Sequence, residues 1–395
     1  MGCDAGARDD PLLSAAAGRL RDAGVEVQLD GSGDNLAARA GTLIKSPGVP
    51  HSAPPVLAAR RLARPVLGEL ELAWRLIPNE FIAVTGTNGK TTTTEWIGHV
   101  HRTAGLPVAV AGNVGTAASS LVGQLQPEAT VVVEASSFQL EDTTAFHPEV
   151  AVLLNLAEDH LDRHPSFEDY VAAKLRVFAN QTPDDLAVIP VGLDIGERAG
   201  RARRVTFGSG PEVQLSEEIA LPGDHNRQNA MAAAATCLAR GIDAQSVTAA
   251  LRTFPGVAHR LEKVAVIDGI AWINDSKATN VASTLVALRA FPGGIHLIAG
   301  GRGKGQDFSP LADLVGERCA AVYLIGEAAG ELAEALRGTG VRVVDARDLE
   351  GAVSEARAGA KRGEVVLLSP ACASYDQYRD FEARGEHFRS LVEAG

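Results

Sequence analysis

Cysteine is scarce in this chain of 395 residues: Cys3, Cys237, Cys319 and Cys372 stand far apart, with no paired ligand spacing. That argues against a disulfide framework and a cysteine-built zinc site, and it fits a reducing compartment. Long hydrophobic runs are missing too. No apolar stretch reaches the roughly eighteen residues that a membrane helix needs. The opening MGCDAGARDD is acidic and polar, unlike a secretory leader, so the expectation is a cytoplasmic protein without membrane insertion. A basic stripe is also lacking. Acidic residues outnumber basic ones, 49 to 37, and the two signs are interspersed, which excludes nucleic acid as an expected partner. Small anionic ligands stay open, because local sites rather than the net charge of -12 decide their binding.

What is present is 46% hydrophobic and 22% charged, with 41 glycines, the composition of a folded protein with many tight turns. The length favours two or three domains, and the pattern reads as three. Residues 1–78 hold helical segments at 11–23 and 56–64, a strand at 25–29, and TLIKSPGVP, broken by Pro47-Gly48 and Pro50. This is the remainder of an α/β unit. Residues 79–256 carry FIAVTG, ATVVVEASS and VAVLLNL, then LAVIPVG and RRVTFG. Runs apolar on both faces belong inside a parallel sheet covered by helices. HNRQNAMAAAATCLARG reads as an alanine-rich helix closed by glycine. After a break at PGVAHRLE, residues 257–395 open with a hairpin turning at Asp268-Gly269 and continue as alternating strands and helices. The expected fold class is α/β, with a second open, doubly wound sheet at the C-terminal end.

The sharpest motif is VTGTNGKTT, Val84 to Thr92. A buried strand ends, Gly86 and Gly89 bracket a turn, and Lys90-Thr91-Thr92 open a helix. Glycines let backbone N–H groups converge on phosphate oxygens, and the helix N-terminus adds favourable potential. Lys90 is placed to reach β/γ-phosphates and Thr91 to help hold Mg²⁺, although from Gly86 the spacing is two residues tighter than the eight-residue phosphate-loop pattern. A glycine-rich turn with a solvated lysine is the plainer alternative.

Glu134 closes an apolar run and His160 follows another, where a parallel strand's C-terminal edge meets a ligand crevice. They are either Mg²⁺ and phosphate neighbours or, respectively, a salt-bridge partner and a loop residue. Phe167, Tyr170, Val171, Lys174 and Phe178 share one helical face, which puts a lysine on an apolar stripe. Its amine either snorkels to water or is desolvated with a lowered pKa, and so able to take up CO₂ as a carbamate. Asn226 either caps the helix or serves the site, while Asn229 lies inside it with an amide suited to a base. Arg260 offers phosphate a planar fork or makes an interdomain ion pair. NDSKATN (274–280) is a phosphate- and ribose-binding loop or a polar capped one.

Read in order, SPGVP, GTNGKTT, VVVEASSFQLE, NLAEDHLDRH, HNRQNA, HRLE, NDSKATN, GGRGKGQDFSPL and SPACASYDQ resemble the Mur ligase family. The likeness is greatest to members that join D-glutamate to UDP-N-acetylmuramoyl-L-alanine. It implies three domains: a Rossmann-like uridine-nucleotide domain, a central ATPase and a C-terminal Rossmann-like domain. The first is expected here to lack its strand–glycine loop–helix–strand opening. The cofactors implied are ATP and one or two Mg²⁺ ions, in a monomer. The nucleotide falls to Gly86, Thr87, Asn88, Gly89, Lys90, Thr91 and Thr92, with Asn229 on adenine, Arg260 on phosphate and Asp275 on ribose. Metal ligation falls to Thr91, Glu134, His160 and a carbamylated Lys174, and catalysis to Lys90, His160 and Lys174. Asn113, Ser136, Ser137 and Gln139 fall on the acceptor side, and Lys277, Thr279, Lys304, Ser374 and Phe381 around D-glutamate. The reaction implied is amide formation through an acyl phosphate, with ADP and phosphate released. The alternatives are another Mur-type amino-acid ligase and a catalytically impaired nucleotide-binding homologue.

Overall fold

Strands that are apolar on both faces need helices above and below them, and both large sheets of this protein are built that way. The computed structural model describes residues 1–4, 11–113, 115–159, 163–196, 200–208, 219, 221, 224–303 and 305–394. Its backbone divides into two compact units, Met1–Pro255 and Gly256–Gly395.

The first unit opens with β1 (Gly2–Cys3), α1 (Pro11–Asp22), β2 (Val27–Gln28), α2 (Asp34–Arg39), β3 (Leu43–Lys45), α3 (Pro54–Arg61), β4 (Val66–Gly68) and α4 (Glu69–Leu76). These strands form two separate parallel pairs, β1–β2 and β3–β4. The strand expected at 25–29 is cut to two residues. The helix expected from 56 starts at Pro54 instead, since proline at a first helical position removes no intrahelical bond.

Glu71 of α4 is fully buried. Its carboxylate accepts N–H bonds from Thr144 at 3.0 Å, Ala145 at 3.1 Å and Phe146 at 2.9 Å, and Arg75 Nε donates at 2.8 Å. Burial alone would raise its pKa, but these donors outweigh it and hold the group below the ordinary carboxylate range. Its stabilising contribution is therefore complete above the unfolded-state value and is lost as pH falls through the folded one. Glu71→Gln should cost about 2–3 kcal/mol, because a neutral amide accepts these bonds less strongly and adds donors without acceptors. Urea unfolding at pH 7 and pH 4 checks this: the gap between wild type and variant should narrow at the lower pH.

The central sheet comprises β5 (Phe81–Thr85), β6 (Val108–Gly112), β7 (Thr130–Glu134), β8 (Val150–Leu153), β9 (Leu186–Pro190) and β10 (Arg203–Phe207), in the order β10-β9-β8-β5-β7-β6, all parallel. Its helices are α5 (Lys90–Thr103), α6 (Ser137–Glu141), α7 (Phe167–Leu175), α8 (Asp224–Ala239) and α9 (Ala244–Thr253). Phe81, Ala83, Val131, Val133, Ala151 and Leu153 fill one core face, each almost fully buried, and each large side chain contributes about 1.5–3 kcal/mol by leaving water. Helix α8 contains Asn226 within its first turn. The chain runs from β5 toward β6 and β7 on one side and returns to β8 on the other. The winding thus switches between β5 and β8, where open α/β sheets leave a crevice at the strands' carboxyl ends.

The second unit has β11 (Glu262–Ile267), β12 (Ile270–Asn274), β13 (Ile295–Gly300), β14 (Cys319–Ile325), β15 (Arg342–Arg347) and β16 (Val365–Leu368), in the order β11-β12-β16-β13-β14-β15. Only the β11–β12 pair is antiparallel. Asp268 (φ 54°) and Gly269 (φ 79°) form the expected tight hairpin, whose two central residues both need positive φ. Helices α10 (Val281–Arg289), α11 (Ala312–Arg318), α12 (Ala329–Ala335), α13 (Leu349–Gly359) and α14 (Phe381–Glu393) complete it. Alternate residues of one strand serve opposite faces: Leu297 and Leu367 join one core, Ile298 and Leu368 the other. Among the described residues, no helix is long and apolar enough to cross a membrane.

Candidate active site

The turn between β5 and α5 stands at the switch point. Gly86 adopts φ 148°, and a Cβ there would press on the backbone N of Asn155 at 3.3 Å. Gly89 is left-handed at φ 85°, and a Cβ on it would collide with the side-chain oxygen of Asn229. Both glycines are thus required by geometry, and Asn229 of α8 lies directly over the loop. Asn155, just past β8, braces the same turn: its carbonyl accepts from Thr87 N–H at 3.1 Å, and its side chain exchanges bonds of 2.8 and 3.0 Å with the backbone of Asn88. The Lys90 ammonium curls back to the carbonyls of Gly86 at 3.1 Å and Thr87 at 2.9 Å. Thr91 and Thr92 follow in the first turn of α5, where backbone N–H groups and the helix dipole favour anions.

Three further chain segments reach this loop. Glu134, at the end of β7, accepts the Thr91 hydroxyl at 2.7 Å and the Asn113 amide at 3.1 Å. Lys174 of α7 is 1% exposed, donates to Gly86 O at 2.8 Å and stands 4.5 Å over the Tyr170 ring. Burial, then the neighbouring Lys90 charge, lowers its pKa to about 7 against the opposing pull of Asp159 and Glu134. Between the two alternatives for this lysine, the buried one holds. Tyr170 OH meets Thr87 Oγ1 at 3.0 Å, and its ring lies edge-on to His164. His164 Nε2 in turn lies 3.0 Å from Ser137 Oγ. A continuous polar and aromatic chain therefore runs from the phosphate loop to the start of α6.

The second unit gathers a separate group at the carboxyl ends of β12 and β16. Asp275 is buried, with Oδ2 accepting from Ser369 Oγ at 2.8 Å and Oδ1 from Leu261 N–H at 3.1 Å. Burial raises its pKa to about 7, against the opposing Ser369 and Leu261 bonds and the Arg260 and Lys277 charges. Lys277 and Thr279 lie half-buried on the turn that follows, and Ser374 is buried on the loop after β16. Phe381 meets the His259 ring edge-on at 6.2 Å. Arg260 is exposed between His259 (φ 61°) and Leu261 (φ 45°), two left-handed non-glycine residues. Arg384, 1% exposed, ties the loops together by donating to Ser276 Oγ at 3.0 Å, Ser276 O at 2.9 Å and Cys372 O at 3.1 Å. Burial lowers its pKa to about 10.

Comparison with known proteins agrees with this layout. Residues 84–208 match the Mur ligase middle domain, and residues 259–372 the glutamate ligase domain of Mur ligases. The UDP-N-acetylmuramoylalanine–D-glutamate ligase of Pelotomaculum thermopropionicum is 42% identical over 98% of this chain and 91% of its own length. The enzyme of that name from Acidobacterium capsulatum is 41% identical over 98% and 89%. The chain belongs to the Mur ligase family. The Mur ligase fold is shared with a crystal structure of MurF ligase from Thermotoga maritima in complex with ADP: TM-score 0.57, 18% identity, covering 90% of this chain and 97% of that one.

In this Mur ligase the structure brings Gly86 to Thr92, Asn113, Glu134, Lys174 and Asn229 together, and Arg260, Asp275, Lys277 and Thr279 together within the second unit. His160 and Lys304 lie outside the described residues. Ser136 and Gln139 are engaged in a capping box on α6: Ser136 Oγ accepts from Gln139 N–H at 3.3 Å, and Gln139 Oε1 accepts from Ser136 N–H at 3.0 Å. That leaves Ser137 as the residue of the segment in line with the phosphate loop. Sequence reasoning missed the bracing by Asn155, although the signal that marked Glu134, a polar side chain just past a buried strand, marks it too. Arg384 and His164 carry no such signal, because each works through contacts distant in sequence.

Proposed function

We propose that this Mur ligase joins D-glutamate to UDP-N-acetylmuramoyl-L-alanine with ATP as energy source, through an acyl phosphate, in peptidoglycan precursor synthesis. The observation that carries the reading is the convergence of Lys90, Lys174 and the Thr91–Glu134 pair on one glycine-shaped turn at the switch of a parallel sheet. In this reading residues 1–78 serve the uridine nucleotide, 79–256 ATP and 257–395 the amino acid, in a cytoplasmic monomer.

The triphosphate lies over Gly86–Thr92 with its charge facing the α5 N-terminus and Lys90. The Thr91 hydroxyl and the Glu134 carboxylate supply oxygen donors on one side of the loop, a donor set that fits Mg²⁺, and Asn113, whose amide donates to Glu134, is assigned to the acceptor side. When bound, that ion offsets charge on the transferring phosphoryl group. With its pKa lowered to about 7, Lys174 reaches the uncharged amine near neutral pH. That is the form that adds to CO₂, forming an N–C bond with loss of one proton, and the carbamate would be a further oxygen ligand. The alanyl carboxylate, approaching from the Ser137 side, attacks the γ-phosphorus and ADP leaves. The D-glutamate amine then adds to the acyl carbon, and the tetrahedral intermediate, having lost one amine proton, collapses to the amide as the C–O bond to phosphate breaks and phosphate departs. Asn229 is assigned to the nucleotide, Arg260 to phosphate and Asp275 to ribose. Lys277, Thr279, Ser374 and Phe381 are assigned to D-glutamate. Sequestering the mixed anhydride from water and aligning the amine are what the protein adds to the chemistry.

Phosphate release measured over a matrix of nucleotide acceptors and amino acids tests this. Turnover is expected only with ATP, UDP-N-acetylmuramoyl-L-alanine and D-glutamate together. Equal turnover with L-alanine, a diamino acid or a different acceptor would overturn the substrate assignment.

A further inference from the structure

Among the charged groups outside the phosphate loop, Lys45 and Asp142 stand apart. Both are nearly fully buried, at 3% and 7% exposure, and form an ion pair. Lys45 Nζ and Asp142 Oδ2 meet in this pair and make no other hydrogen bond among the described residues. A buried pair of this kind adds little stability over well-packed apolar side chains, and its reason must be sought in geometry. Lys45 ends β3 and immediately precedes the turn Ser46-Pro47-Gly48-Val49, in which Ser46 and Gly48 are exposed and Pro47 and Val49 half-buried, closed by Val49 N–H to Ser46 O at 3.0 Å. Asp142 is the residue that ends α6.

The turn is clamped at three points. At its start Lys45 meets Asp142. Beyond its end His51 Nε2 reaches Asp142 Oδ1 at 2.7 Å, and His51 Nδ1 lies 3.4 Å from Glu141. In its middle, Arg163 donates to Pro47 O at 3.1 Å while its guanidinium sits 4.3 Å over the Phe138 ring. Phe138 is stacked on His164, the residue that links Ser137 to Tyr170 and the phosphate loop. The 46–49 turn and the start of α6 are thereby held in one fixed relation to the place where phosphate is transferred.

We propose that Lys45 and Asp142 are positioning residues that set the 46–49 turn against α6 and so shape the pocket for the nucleotide-linked acceptor. The inference rests on the ligase reading, and it deepens it by separating acceptor placement from ATP binding. A bolt that merely stabilised the first residues on the central sheet would affect melting and leave the Michaelis constants alone. A positioning pair shifts one of them selectively.

The test is steady-state kinetics of the full chain with Lys45→Met/Asp142→Asn, which keeps similar side-chain shapes while removing both charges, and with His51→Gln, a change at a partly exposed residue that removes one arm. The double variant should raise the KM for UDP-N-acetylmuramoyl-L-alanine about tenfold or more, with the KM values for ATP and D-glutamate within about twofold of wild type. His51→Gln should shift the acceptor KM in the same direction by less. Should the double variant fail to fold, His51→Gln alone decides. An acceptor KM unchanged in every folded variant, or all three KM values moving together, overturns the proposal and leaves the ligase reading intact. A wild-type chain that releases no phosphate with all three reactants overturns both.

Discussion

Lys174→Ala is expected to lower turnover by about 10²–10³-fold, the scale seen when one preorganised electrostatic group is removed from a transition state. The amine is buried, bonded to Gly86 O and shares its surroundings with Lys90. Its removal takes away either a carbamate ligand or an ammonium beside the phosphate loop. Adding formate or acetate separates the two, since a small carboxylate refills the space with the charge that a carbamate would carry; partial rescue is expected. The pH dependence follows from the pKa of about 7, lowered from 10.5. Above pH 7 the neutral amine prevails, so activity at limiting CO₂ should climb between pH 6 and 8 and flatten when bicarbonate is abundant. Between about 7 and 10.5 the unfolded chain holds more protons at this residue than the folded one, so its contribution to stability rises with pH in that window. Undiminished turnover in the alanine variant would remove Lys174 from the mechanism.

Lys90→Met should reduce kcat/KM for ATP by about 10³-fold while shifting the melting temperature only slightly. The side chain is half-buried and its ammonium contacts two carbonyls of the turn, a local contact between the first residue of α5 and the preceding turn rather than a core contact. Methionine preserves the aliphatic stem and deletes the charge. The loss should appear in both KM for ATP and kcat, because in the proposed reading the same ammonium would meet the ground-state triphosphate and the transferring phosphoryl group. Calorimetric ATP binding alongside ADP-release kinetics checks it. A variant binding and turning over ATP like wild type would place the triphosphate elsewhere.

Much of this was legible beforehand for reasons that are local. Unbroken β-branched runs must be buried on both faces, so parallel sheets followed. Helical periodicity places Lys174 on the apolar face, and the structure buries it there. Glu134 stood out because a carboxylate at the end of a buried run has no packing reason to be there. The same logic applied to Ser136-Ser137-Phe138-Gln139 was less decisive, since serine followed three residues later by glutamine is also a helix-capping signature, and Ser136 and Gln139 take that role here.

The order of residues along the chain was sufficient for the kinds of elements, the phosphate turn and the identity of the polar groups at strand ends, because each depends on neighbours within one or two helical turns. Which of those groups meet was settled only by the strand order β10-β9-β8-β5-β7-β6 and by what packs against it. That order puts residues 86, 134 and 155 around one crevice, while the packing of α7, α8 and the separate β3–β4 pair against the sheet brings in Lys174 and Asn229 and lets Lys45 find Asp142 nearly a hundred positions away. Pairing across such separations is set by how the sheets wind and pack, and no local pattern encodes it.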